Sequence, residues 1–181
     1  CCNDMYFFVD EIAQAVDQSG LRAVLSRGIV GDWQDGNERL AENIALYQNW
    51  HGADHGRIQV AFAPHAIYTC SEMLLRKISE IAQKYQTMLH IHLAETKQEF
   101  DDCRKKHGTT PTAYLAELGC FDNPTIAAHA VWLTEEDENI LAQYGVKIAH
   151  CPRSNLKLGN GMAKSYELLQ KNVGLGFGTD G

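Results

Sequence analysis

Short apolar runs alternate with amphipathic stretches along the whole chain. The runs are Cys1–Phe8, Leu21–Val30, Ile58–Pro64, Met88–Ala94, Thr125–Val131, Val146–Ala149 and Val173–Gly178, each of strand length. Between them, Leu40, Ile44 and Tyr47 fall at i, i+4 and i+7. Leu74, Ile78, Ile81 and Tyr85 keep the same rule over three turns, the spacing of one helix face. Thr96 with Glu99, and Thr134 with Asp137, read as capping boxes that open helices directly after strands. Gly20, Gly108, Gly119 and Gly145 fall where helices end. Seven strands, each but the last followed by a helix, imply a parallel sheet with right-handed crossovers. Two α/β architectures fit that order: a doubly wound open sheet, or most of a (β/α)8 barrel.

The polar residues separate the two. His65, His92 with Glu95, His129 and Asp180 stand at the C-terminal ends of four different predicted strands, and Arg27 ends the second strand in the same way. In a barrel all such ends face one mouth. An open sheet gathers its chemistry near one switch point and usually carries a glycine-rich first turn. Neither GxGxxG nor GxxxxGK[ST] occurs, so the pattern favours the barrel.

Composition narrows the partners. With 181 residues, 45% of them hydrophobic, the chain can bury one real core. The net charge of −7, with no block of Lys or Arg, argues against nucleic acid and anionic membranes. No apolar run is long enough to cross a bilayer. Six cysteines without a CxxC pair read as reduced thiols of a cytoplasmic protein. The chain does not begin with Met, and a strand pattern starts at once, so both ends read as cut from something longer.

The densest chemistry lies in His90-Ile91-His92-Leu93-Ala94-Glu95-Thr96. In a strand His90 and His92 share one face, and Leu89, Ile91 and Leu93 the other. Imidazole is a common zinc ligand, and a nearby carboxylate can move protons beside a metal. Each residue also has a plainer reading. Glu95 could be a carboxylate favoured by a helix N-terminus, Asp180 a turn residue and His129 a core histidine. His90, deeper in the strand, reads as structural. His51 and His55 read as loop residues beside glycines, and His150-Cys151 as loop architecture beside Pro152.

A set of segments, in order, resembles the amidohydrolase superfamily. They are Leu25-Ser26-Arg27-Gly28, Arg39-Leu40-Ala41-Glu42-Asn43, Ala63-Pro64-His65, His92-Leu93-Ala94-Glu95-Thr96, Ala128-His129, Pro152 through Gly159 and Gly178-Thr179-Asp180-Gly181. Within that superfamily they look like the chlorohydrolase-like deaminases of S-adenosylhomocysteine and 5′-methylthioadenosine. The resemblance implies a single metal-dependent hydrolase domain over 1–181, an incomplete (β/α)8 barrel. It implies one divalent ion, zinc or iron, held by His92 and Asp180. Glu95 is then the proton shuttle, Asp180 activates water, and His129 orients the attacking oxygen. Arg27 and Arg39 would meet a substrate carboxylate and His65 the ribose or purine, with Glu95 and His129 also touching substrate.

The implied reaction is hydrolytic deamination of adenosine-type nucleosides. The alternatives are deamination of guanine or cytosine, triazine dechlorination, or a non-catalytic fragment. The two-metal members of the superfamily bridge their ions with a lysine that 57–65 does not contain, which implies a single ion. One departure is expected to matter. The superfamily's first-strand HxH pair and flanking β domain are missing, leaving about seven of eight strands and about half of the ligands. A homo-oligomer is left open.

Overall fold

The computed structural model describes residues 1–180; Gly181, the last residue of the Gly178-Thr179-Asp180-Gly181 motif, lies outside the described residues. The strands form where the apolar runs lie. They are β1 (Cys2–Tyr6), β2 (Ala23–Ile29), β3 (Ile58–Val60), β4 (Ala63–Pro64), β5 (Leu89–Leu93), β6 (Thr125–His129), β7 (Lys147–His150) and β8 (Leu175–Phe177). The third run is thus two short strands, and both pair in parallel with β2, at Ala23↔Ile58 and Gly28↔Ala63. β1 with β2, β6 with β7 and β7 with β8 also pair in parallel. The expected α/β fold of parallel strands is what forms.

The helices are α1 (Val9–Ser19), α2 (Trp33–Trp50), α3 (Ala53–Gly56), α4 (Glu72–Lys84), α5 (Lys97–His107), α6 (Pro111–Glu117), α7 (Glu135–Tyr144), α8 (Pro152–Lys157) and α9 (Ser165–Gln170). The short helices α3, α6, α8 and α9 carry too few turns for apolar periodicity to reveal them. Among the described residues, no helix is long and apolar enough to cross a membrane. All six cysteines are free thiols.

The chain divides into two compact units. The first holds Cys1–His65 and Thr69–His90; the second holds Ala66–Tyr68 and the chain from Ile91 onward. In the first, the sheet order is β1-β2-β3, with β4 also beside β2. Val9, Ala13 and Val16 of α1 cluster with Ala23, Leu25, Leu46, Ile58 and Val60. Each of the larger side chains here contributes roughly 1.5–3 kcal/mol by leaving water. Asn43, fully buried, ties α2 to the strands. Its Oδ1 accepts from the Arg27 amide at 3.1 Å, and its Nδ2 donates to the Ala61 carbonyl at 2.9 Å. Gly36 lets α2 approach α4, because a Cβ there would lie 2.8 Å from the Leu74 side chain.

In the second unit the order is β5-β6-β7-β8. Thr134 and Asp137 form the complete capping box at the start of α7. Gly108 and Gly145 close α5 and α7 in the left-handed conformation, at φ +73° and +66°. One expectation is corrected here. β7 extends through His150, which is 1% exposed, so His150 is a buried strand residue rather than part of a loop.

Candidate active site

In the second unit the ends of β5 and β6 are built under strain. After Leu93 the chain turns at Ala94 with φ +47°, and at the end of β6 His129 and Ala130 take φ +74° and +52°. Side chains other than glycine are crowded in this region, at about 1–3 kcal/mol each, and such residues gather at functional sites. Hydrogen bonds hold the conformation. The Leu93 carbonyl accepts from the Ala130 amide at 2.9 Å. The Ala94 carbonyl accepts from the amides of Val131 at 3.1 Å and Trp132 at 2.9 Å. On the other side of the turn, the Glu99 carboxylate accepts from the amides of Ala94 at 3.0 Å and Glu95 at 2.8 Å. The expected cap at Thr96 is present, since its hydroxyl accepts from the Glu99 amide. The glutamate's own carboxylate reaches past that cap into the turn.

These turns bring Glu95 and His129 together. The Glu95 Oε2 lies 3.6 Å from the His129 Nε2, an ion-pair distance too long for a hydrogen bond. Two amide side chains fix the pair from behind. Asn160 Nδ2 donates to Glu95 Oε1 at 2.9 Å, and Asn155 Oδ1 lies 2.9 Å from His129 Nδ1. An amide oxygen only accepts, so Nδ1 carries the proton and Nε2 is the nitrogen turned to Glu95. Asn160 is itself anchored, its carbonyl accepting from the Trp132 indole at 2.9 Å. The His92 ring stacks on His129 with centroids 5.3 Å apart. Asp180, also left-handed at φ +58°, accepts from the Ser154 hydroxyl at 2.6 Å.

The sequence places Asn155 in the Pro152–Gly159 motif without showing its partner, and gives no sign of Asn160, which stands in a Gly-Asn-Gly stretch that reads as a turn. The sequence shows Glu99 only as the capping partner of Thr96. Burial, opposed by the amides it accepts from, pushes its carboxyl up to about 7.

His92 and Asp180 fit a divalent ion in donor type, being an imidazole and a carboxylate. A closed site needs three or four donors, and no group of three His, Cys, Asp or Glu side chains that could hold a metal stands among the described residues. Cys151 is a poor further donor. Burial first, then the carboxylates of Asp180 and Glu95, pushes its thiol up to about 11.

Arg27, Arg39 and His65 belong to the first unit. The Arg27 guanidinium pairs with Glu42, donates to the Gly28 carbonyl at 2.7 Å and stacks over Phe7 at 4.8 Å. Arg39 instead donates to the carbonyls of Val30 and Asp35, both at 3.2 Å, and no carboxylate pairs with it among the described residues. His65 Nδ1 lies 2.9 Å from the Thr69 hydroxyl. His90 is buried between Asn3, at 3.2 Å, and Ser26, at 3.3 Å. His51 stacks on Tyr47 and accepts from the Val60 amide.

Residues 1–181 match the amidohydrolase family throughout. The chain belongs to that family. It is 48% identical over 178 residues to a 5-methylthioadenosine/S-adenosylhomocysteine deaminase of Desulfitobacterium hafniense, covering 98% of this chain and 41% of that protein. It is 42% identical to a 5′-deoxyadenosine deaminase of Methanothermobacter thermautotrophicus, covering 99% of this chain and 42% of that protein. The crystal structure of an adenosine deaminase from Xanthomonas campestris with bound zinc superimposes with a TM-score of 0.90 at 35% identity, over 99% of this chain and 41% of that one. This amidohydrolase chain therefore spans about two fifths of the length of these relatives.

Proposed function

We propose that this chain serves hydrolytic deamination of adenosine-type nucleosides, with S-adenosylhomocysteine, 5′-methylthioadenosine and adenosine as substrates, ammonia as one product and the cytoplasm as its compartment. The observation that carries the reading is the Glu95–His129 pair, held by Asn160 and Asn155, in a chain whose relatives are named for that substrate class. His92 and Asp180 would hold one divalent ion, zinc in the similar adenosine deaminase, and such an ion lowers the pKa of a water bound to it to about 7.

The chain's own residues account for the proton transfers. Water adds to the carbon that bears the amino group. Its proton passes to Glu95, whose Oε1 is fixed by Asn160 while Oε2 stays open toward His129. Glu95 returns that proton to the ring nitrogen. The hydroxyl of the adduct then gives up its own proton as its C–O bond becomes a carbonyl, and that proton, relayed by Glu95 to the amino group, lets it leave as ammonia. His129, its Nδ1 proton committed to Asn155, turns Nε2 to the attacking oxygen. For Arg27, Arg39 and His65 the reading rests on the resemblance. The pairing of Arg27 with Glu42 supports assigning the substrate carboxylate to Arg39.

The test is ammonia release by the full-length protein on adenosine, 5′-methylthioadenosine and S-adenosylhomocysteine, with guanine, cytosine and a chlorotriazine as competitors. Turnover confined to the last three would overturn the reading. The 181-residue chain alone is expected to bind zinc weakly, because His92 and Asp180 are two donors where a closed site needs three or four; tight stoichiometric zinc on that chain would refute the deficit.

A further inference from the structure

Glu99 is a carboxylate that the reaction as written does not use, and it is 4% exposed in the second unit. It stands one helical turn beyond Glu95, on α5, and points back into the turn rather than out to solvent. Its two oxygens divide the work. Oε1 takes the Ala94 amide at 3.0 Å and Oε2 the Glu95 amide at 2.8 Å. The carbonyl of the same Ala94 is held from the opposite side by Val131 and Trp132. Ala94 is therefore gripped at both its amide and its carbonyl, in a conformation (φ +47°) that alanine does not choose. Without Glu99, the amide of a fully buried residue would lose its hydrogen-bond partner. The turn would relax toward the right-handed region, and the direction in which Glu95 leaves the backbone would change with it.

We infer that Glu99 is a positioning residue: its carboxylate holds the left-handed Ala94 turn and thereby sets where the Glu95 carboxylate lies against His129. The inference rests on the role proposed for Glu95. It makes Glu99 a determinant of turnover that touches neither substrate nor ion.

The test compares Glu99→Gln with the same substitution combined with Ala94→Gly in the full-length protein. Glutamine keeps the volume but replaces one acceptor with a donor that faces an amide. The expected loss in kcat is about 10- to 100-fold with KM nearly unchanged, the scale of a catalytic group misplaced by a fraction of an ångström to one ångström. Glycine takes positive φ without penalty, so Ala94→Gly on the Glu99→Gln background should recover most of that loss. A residue that only stabilised the fold would show a lowered Tm with turnover per folded molecule intact and no such rescue. Wild-type kcat in Glu99→Gln, or a loss that glycine fails to recover, would overturn the inference.

A second reading needs no activity. Hydrogen exchange at the Ala94 and Glu95 amides should accelerate in Glu99→Gln, and the Glu95–His129 separation in its crystal structure should depart from 3.6 Å. If the wild-type protein deaminates no nucleoside, the functional reading falls, while these two measurements still decide the role of Glu99. Where Glu99→Gln does not accumulate folded, Glu99→Asp, which keeps the charge but shortens the reach, gives the same readings.

Discussion

The two units follow one construction rule and use it differently. Each has parallel strands with helices between them. In the first unit, the left-handed residues other than glycine are Phe8, Asp54, His55 and Gln86, all at helix ends or in the short α3. In the second, Asn172 follows α9 in the same way, but Ala94, His129, Ala130 and Asp180 stand at or just beyond strand ends. The polar interior differs in the same sense. Asn43 in the first unit spends both ends of its amide on backbone. In the second, among the described residues, Asn155 spends Oδ1 on His129 and leaves its buried Nδ2 without a partner, and the Thr112 hydroxyl and both nitrogens of His150 are likewise unpartnered, against Asp4 Oδ2 in the first. The first unit uses its polar groups to stabilise a scaffold. The second keeps strain and unspent hydrogen-bonding capacity beside a carboxylate and an imidazole, the arrangement expected where binding must supply what the fold leaves open.

That contrast is sharpest at Glu95. Replacing it with Gln in the full-length protein should lower kcat by about 10²–10⁴-fold while Tm holds, since general acid–base help is worth that much. Near-normal turnover would remove the functional distinction between the units. The opposite signature is expected from the first unit. Leu25→Ala, at a position 1% exposed in β2, should cost about 2–5 kcal/mol of stability, read as a shifted denaturation midpoint, with turnover per folded molecule near wild type.

Arg39 tests whether the first unit is scaffold alone. Arg39→Met should weaken kcat/KM for S-adenosylhomocysteine about 10- to 100-fold, the loss of a charged hydrogen bond worth roughly 1.5–3 kcal/mol, and spare 5′-methylthioadenosine, which has no carboxylate. Equal losses on both substrates would return Arg39 to the scaffold.

The smallest effect concerns pH. The Glu99 carboxyl rises on folding from its ordinary 4.5 to about 7, chiefly by burial and in part by Glu95, against the amides of Ala94, Glu95 and Thr96. The native state therefore binds that proton more tightly than the unfolded chain. Its contribution to stability is whole below about pH 4.5 and is lost as pH rises toward about 7. Tyr68 and Cys103, raised chiefly by burial and in part by the Glu99 charge, titrate well above this window. Tm of the wild type should fall across it relative to Glu99→Gln, and parallel curves would show that Glu99 does not titrate there.

The strands, the long helices, their caps and the family were legible in the sequence because each rests on local spacing. An apolar run, a threonine three residues before an acid, and His-x-x-Glu after a strand need no distant partner to be read. The chain by itself thus determined that parallel strands alternate with helices, and that His65, Glu95 and His129 stand at strand ends, whereas Arg27, expected at the end of its strand, lies within β2, which continues to Ile29. What it did not determine were relations across long separations. Asn160 meets Glu95 from 65 residues away and Asn155 meets His129 from 26, and no local pattern encodes either. Arg27 rather than Arg39 takes Glu42, a choice made by the path of a strand beside a helix. The left-handed Ala94 exists only because the Glu99 carboxylate and the amides after β6 outweigh alanine's own preference, and that balance of hydrogen bonds against backbone sterics is fixed only once the elements have packed.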